Sequence, residues 1–196
     1  MTRTTIPAKI PPARQSDDLQ RTPLVAEPAV GETSRHRATR YTLATLRLSL
    51  GWVFLWAFLD KTFGLGRATP AEGAWLDGGS PTAGFLGNAP TGPFEDAFRS
   101  IAGAAWADWL FMVALLAIGT ALLLGIGIRV AAASGSALLI LMWAAVLPPA
   151  NNPFMDDHLV YAMVLVLLAL TGSGQTWGLG RRWEQLPVVS RAGILK

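Results

Sequence analysis

Four apolar runs divide the chain, each bounded by polar or charged residues: Tyr41 to Leu59, Trp109 to Ile128, Val130 to Leu147, and His158 to Trp177. Each is roughly 18–20 residues long, about what a helix needs to cross a hydrocarbon core. The last run is the sharpest. Asp156, Asp157 and His158 stand at its head, where a helix macrodipole favours acidic groups. No Asp, Glu, Lys, Arg or His follows between Leu159 and Leu170. The run then fades through Thr171, Gly172, Ser173, Gly174 and Gln175 to Trp177, and meets Arg181 and Arg182. The second and third runs join through a tight turn around Arg129. Gly119, Gly125, Gly127, Ala132, Gly135 and Ala137 supply the small residues that let membrane helices approach closely. Pro148-Pro149 stops the third run. The pattern predicts an all-α integral membrane protein, a four-helix bundle with a long outer loop.

That loop, residues 62–107, is too long to be a plain connection, and loops of this length usually carry function or short elements of their own. Thr69-Pro70-Ala71-Glu72 reads as a capping box with proline at the first helical position, predicting a short helix through Leu76 that Gly78-Gly79 ends. Ser80-Pro81 starts a second turn carrying Phe85 and Leu86. Phe94, Ala97, Phe98, Ile101 and Ala102 then follow helical spacing with polar residues between them. That is an amphipathic helix suited to the membrane surface or the mouth of the bundle, either as a packed cap or as a lid over a ligand. Residues 1–40, with four scattered prolines before Pro28, read as a disordered tail without the apolar core of a signal peptide. Residues 184–196 read as a short polar tail, leaving 41–183 as the membrane domain.

Composition sharpens this. Of the 196 residues, 52% are hydrophobic and 15% charged, a bias that fits a membrane protein better than a soluble globule. The net charge of +3 raises nucleic acid as a partner. The basic residues, however, gather beside apolar runs, at Arg35, Arg37 and Arg40, at Arg129, and at Arg181 and Arg182, which is the pattern of membrane orientation. No nucleic-acid partner is expected. The same bias puts both termini in the cytoplasm and the long loop outside. The absence of cysteine excludes disulfides, a thiol relay within the chain, thiolate-ligated clusters and CxxCH haem attachment. With two histidines on opposite sides, bis-histidine haem is implausible, so a redox role requires a diffusible carrier or a partner's cofactor.

Two groups of residues could carry chemistry. Arg47 is the one ionisable residue well inside a run, and such residues stand as functional hypotheses. Thr120, Ser134, Ser136, Thr171 and Ser173 fall at similar depth, enough for a polar layer that could hold an anion or a quinone carbonyl. The alternatives are an arginine that snorkels to the headgroups and one hydrogen-bonded for structure alone. At the outer face, Asp60, Lys61, Asp108, Asn151, Asn152, Asp156, Asp157 and His158 could converge. A carboxylate can orient a histidine that titrates near neutral pH, so this set suits a proton relay; one histidine and no cysteine make a weak zinc set, and no metal is expected. Helix capping by Asp156 with solvent-facing neighbours is the plainer alternative.

Several short stretches together resemble the DoxX/DoxD family of small four-helix bacterial membrane proteins. They are Arg47-Leu48-Ser49-Leu50-Gly51 leading to Leu59-Asp60-Lys61, WLDGGSPTAGFL from Trp75 to Leu86, DDHLVYA from Asp156 to Ala162, and TWGLGRRWE from Thr176 to Glu184. The resemblance spans roughly residues 40–185. It implies a bacterial plasma-membrane setting and a quinone-linked redox role, and the loop resembles the DoxD branch, associated with thiosulfate:quinone oxidoreductase. The implied associates are membrane lipids, a membrane quinone in place of any covalently bound cofactor, and a further redox subunit. No catalytic residue is carried over. Two roles stay open: a quinone-interacting oxidoreductase subunit with its ligand near Arg47, Thr120, Ser134 and Thr171 or near Asp60, Lys61, Asp157 and His158, and a non-catalytic membrane scaffold.

Overall fold

The structure, a computed structural model, describes residues 30–195, so the expected tail over 1–29 and Lys196 lie outside the described residues. In chain order its α-helices are α1 (Val30–Phe63), α2 (Ala83–Asn88), α3 (Glu95–Ser100), α4 (Ala105–Leu124), α5 (Ile128–Ala145), α6 (Asp157–Leu170), α7 (Gly180–Glu184) and α8 (Pro187–Arg191). Short 3-10 turns lie in several of the connections, and there is no strand among the described residues. Helices α1, α4 and α5 are long and apolar enough to cross a membrane. Helix α1 packs along α4, α5 packs along α6, and the pairs meet through α4–α5 and α1–α6 contacts. Leu50, Phe54, Met112, Leu115, Ile118 and Leu165 form the heart of the core. The far sides of the same helices are also apolar: Val53, Leu116, Ile140 and Val166 are exposed. A helix apolar all round is what a lipid environment requires.

Close approach is achieved with glycine. A Cβ on Gly119 would lie 2.7 Å from the Leu55 main-chain nitrogen, so only hydrogen fits where α4 crosses α1.

Two boundaries differ from expectation. Helix α1 begins at Val30, so residues 30–40 are helical and not part of a disordered tail. No proline stands between Pro28 and Pro70, and extending a helix already nucleated by an apolar run costs little. The fourth helix is shorter than its apolar run. Helix α6 has 14 residues, about 21 Å at 1.5 Å per residue, well short of a core of about 30 Å. Thr171 ends it, Gly172 turns left-handed at φ 62°, and a 3-10 turn over Ser173–Gln175 folds back against α1. Non-helical backbone is tolerated at membrane depth only where protein buries it, and Ser173 and Gly174 are buried.

The long loop forms a cap at one end of the helices. Its first stretch is two 3-10 turns, Ala71–Gly73 and Trp75–Asp77, instead of the helix that the Thr69–Glu72 pattern predicts. Pro70, not Thr69, occupies the N-cap position, and no side chain closes a capping bond. The Ser80-Pro81 turn and the amphipathic segment are present as α2 and α3. Trp75 meets Trp109 edge-on at 4.6 Å, seating the cap on α4. At the opposite end the segment after Trp183 folds instead of trailing away. The Trp183 indole donates to Leu195 O at 2.5 Å, the Arg129 guanidinium donates to Gly193 O at 2.6 Å, and Val189 is buried.

Candidate functional site

Arg47 sits on the face of α1 defined by Ala44, Leu50, Gly51 and Phe54, all buried, and is itself 0 % exposed. Its guanidinium meets main-chain carbonyls. Nη1 donates to Leu122 O and, at 3.0 Å, to Leu123 O. Nη2 donates to Thr176 O and Trp177 O, both at 3.0 Å. Nε is buried without a partner. The last four carbonyls of a helix have no partner of their own. Those of α4 are all satisfied: Ala121 O by the amides of Gly125 and Ile126, Leu122 O and Leu123 O by Arg47, and Leu124 O by the Leu179 amide at 2.8 Å. The arginine charge also lies at the negative end of the α4 macrodipole.

Around this clamp the backbone closes as a knot. Gly125, at φ 73°, lies so near Gly174 that a Cβ would come within 2.8 Å of Gly174 O, and Gly178 and Gly180 press on the same two residues. Trp177 adopts φ 52°, a left-handed conformation uncommon outside glycine. Its ring stacks on Tyr41 at 5.1 Å while its carbonyl turns toward Arg47.

The hydroxyls that sequence depth places beside Arg47 bond elsewhere. Ser134 donates to Val130 O, Ser136 to Ala162 O, Thr171 to Leu167 O and Ser173 to Leu168 O. Thr120 is half-buried on α4. Depth along each run puts these hydroxyls level with Arg47, but it does not show that carbonyls surround the guanidinium. The buried spacing of Ala44, Arg47, Gly51 and Phe54 was the available signal that Arg47 points inward.

At the capped end the acidic residues organise separate pieces of main chain. Asp60, 1 % exposed, accepts from the amides of Arg67 at 3.2 Å and Ala68 at 3.0 Å, closing the chain's exit from α1. Asp108, 7 % exposed, accepts from the Thr82 hydroxyl at 2.6 Å, the Thr82 amide at 2.9 Å and the Ser80 hydroxyl at 2.9 Å. Thr82 Oγ1 in turn accepts from the Gly103 amide at 3.2 Å. One carboxylate thus ties both ends of the α2–α3 segment to α4. Asn152 Oδ1 accepts from the amides of Phe154 and Met155 in its own turn.

Asp156 caps α6, accepting from the Leu159 amide at 3.2 Å, and its second oxygen lies 2.6 Å from His158 Nδ1. Asp157 Oδ1 is 3.6 Å from the same nitrogen. With Nδ1 donating to Asp156, the imidazole presents Nε2 as an acceptor, the arrangement of an oriented proton carrier. One ligand atom from each of these three residues lies within 4.8 Å of the others.

Two cavities lie under the cap. One, of about 260 Å³, opens between α4, α5 and the cap and is walled by Phe85, Phe98, Ile101, Phe111, Leu141 and Met142. The other, of about 620 Å³, has mixed walls, with Lys61, Thr69, Ser80 and Asn88 beside Pro70, Pro81 and Phe85. The lining of the lateral cavity comes from three separated segments that no spacing in the sequence connects.

No family model matches this chain, and no curated protein or solved structure matches it either. The fold and its cavities therefore carry the functional reading.

Proposed function

We propose that this protein is a quinone-interacting membrane subunit of an oxidoreductase, a four-helix bundle whose arginine-rich end and both termini face the cytoplasm. The observation that carries the reading is the lateral cavity beneath the cap. Small-molecule sites are concave, mostly apolar and about 300–1,000 Å³ in volume. At about 260 Å³, with Phe85, Phe98 and Phe111 in its walls, this one suits a single substituted ring whose tail leaves into the bilayer. Bound there, a quinone would supply two-electron, two-proton redox chemistry. The chain's own residues hold the ring by aromatic and aliphatic contact and exclude water from it. The Lys61 cavity next to it offers the cation that a sulfur-oxyanion donor such as thiosulfate would need.

The test is direct. Protein purified from its native membrane is extracted with organic solvent and the quinone identified. Quenching of Trp106, which lines the cavity, by a short-chain quinone then reports binding. Ala114→Phe fills the same cavity and should abolish the quenching while leaving the fold intact. Quenching that survives Ala114→Phe, or the lack of both copurified quinone and quenching, would overturn the assignment.

A second reading, a non-catalytic membrane scaffold, is favoured by a different observation. Arg47 and Asp60 are engaged by main-chain atoms, and Asp108 by the Thr82 amide with the Ser80 and Thr82 hydroxyls, so the buried ionisable groups of the core and cap stabilise architecture. Copurification of a stable protein partner with no quinone would support that role.

A further inference from the structure

At the end opposite the cap, a cavity of about 440 Å³ opens between the start of the α1 span and the Thr171–Thr176 turn. Arg40 and Arg181 stand on its rim, the polar groups of Thr171, Ser173, Gln175 and Thr176 along its wall, and Leu43 beside it. Arg40 Nε reaches Thr176 Oγ1 at 3.4 Å, which fixes that side chain over the opening. Neither arginine is in an ion pair among the described residues. Glu184 is drawn to the neighbouring side by Gln175, whose amide donates to both carboxylate oxygens at 3.3 Å.

The cavity's level adds to this. Tyr41 and the stacked Trp177 occupy the same end of α1, and such amphipathic rings gather at the membrane–water boundary. Thr171, immediately after the apolar α6, lines the cavity. The shape also has a cause. Because α6 stops early and its chain turns back into the protein, a recess remains where a full-length helix would have continued. Two unpaired guanidinium groups over hydroxyls, at headgroup depth and beside an apolar surface, match a phosphoryl group whose ester carries acyl chains.

We propose that this recess binds the phosphate of an anionic phospholipid, with Arg40 and Arg181 as its cations. Arginine suits the role because its planar fork pairs with phosphate oxygens two at a time. The same chemistry would accept free phosphate, and the two sources separate experimentally. The lateral cavity at the other end is independent of this site, so either can fail alone.

Detergent-purified protein is analysed by native mass spectrometry after delipidation, with phosphatidylglycerol, phosphatidylcholine or inorganic phosphate added singly. Retention of phosphatidylglycerol over phosphatidylcholine is the expected result, together with a raised melting temperature. Arg40→Gln with Arg181→Gln should reduce that retention roughly tenfold to a hundredfold, the loss of one or two charge-assisted contacts. Arg182→Gln with Arg191→Gln, both outside the recess, removes the same two charges and should retain lipid as the wild type does. Retention of inorganic phosphate that the double variant loses would support the phosphoryl site with a soluble ligand as its source. Equal retention of both lipids, or equal lipid binding by wild type and a folded double variant, would overturn the proposal. Should the double variant fail to fold, Arg40→Lys with Arg181→Lys keeps the charge but removes the fork. Undiminished phosphatidylglycerol retention by that pair would overturn arginine-specific recognition, and a several-fold loss would support it.

Discussion

Arg47 brings a charge into the core, and four carbonyl dipoles meet it instead of a carboxylate. Removing one side of such an arrangement strands the other. Each buried carbonyl left without a donor costs about 1–3 kcal/mol. Arg47→Leu should therefore lower stability by at least about 3 kcal/mol, where a snorkelling arginine would have tolerated leucine well. Lysine brings its donors from a single nitrogen and cannot span carbonyls on two segments, so Arg47→Lys should fall between. Thermal unfolding in detergent checks the order wild type, lysine, leucine. A leucine variant melting with the wild type would refute the clamp. Asp108 predicts a local effect. Asp108→Ala frees the Thr82 amide and two hydroxyls, on the order of 2–3 kcal/mol, and loosens the cap without opening the core. Limited proteolysis should then cut within residues 80–103 first, and cleavage elsewhere at the same rate would count against that anchor.

At the scale of elements, the glycine knot and the α3 cap make opposite demands. Gly174 admits no Cβ because the Gly125 main chain occupies its space. Gly174→Ala should prevent the Ser173–Gln175 turn from closing against the end of α4, read as loss of the monodisperse peak in size-exclusion chromatography; Gly84→Ala, at a glycine with open space, should leave that peak unchanged. Helix α3 depends on a side chain. Phe98 lines the lateral cavity and is half-buried, so Phe98→Glu forfeits part of the roughly 1.5–3 kcal/mol of a buried phenylalanine and sets a charge in the wall. A lower melting temperature should accompany loss of quinone quenching, and an unchanged melting temperature would mean that α3 lies loosely. These elements also mark what could be read in advance. The long apolar helices and the amphipathic character of α3 follow from composition and local period. The end of α6 does not, because Gly172 and Gly174 look like ordinary small membrane residues until their neighbours are known. The capping-box pattern at Thr69 does not become an α-helix for a related reason: Asp60 takes the amides of Arg67 and Ala68 and fixes the chain's path just ahead of it.

For the whole molecule, the proposed orientation rests on the arginines. Because the chain has no cysteine, single cysteines at positions 35, 129 and 182 should be shielded from an impermeant reagent added outside intact cells, and one at position 96, exposed on α3, should label. External labelling at 129 would overturn the arrangement. The candidate site was legible only in pieces. Arg47 stands out as the lone charge in an apolar run, and Asp156 as a cap, but the lateral cavity joins Phe85, Phe111 and Leu141 across three segments. Long-range packing creates such a site, and no local pattern records it.

The carbonyls that hold Arg47 also set an order in time. When α1 enters the membrane during synthesis, Leu122 and Leu123 are not yet made, and Thr176 and Trp177 come later still. Until the last apolar run has emerged and folded back, the arginine must stay near the headgroups or in the insertion machinery. A chain that stops before residue 176 never completes the clamp, keeps an unsatisfied cation at its core, and becomes a natural target for membrane proteolysis. Arg47 thereby makes completion of the last segment a condition of survival for the first.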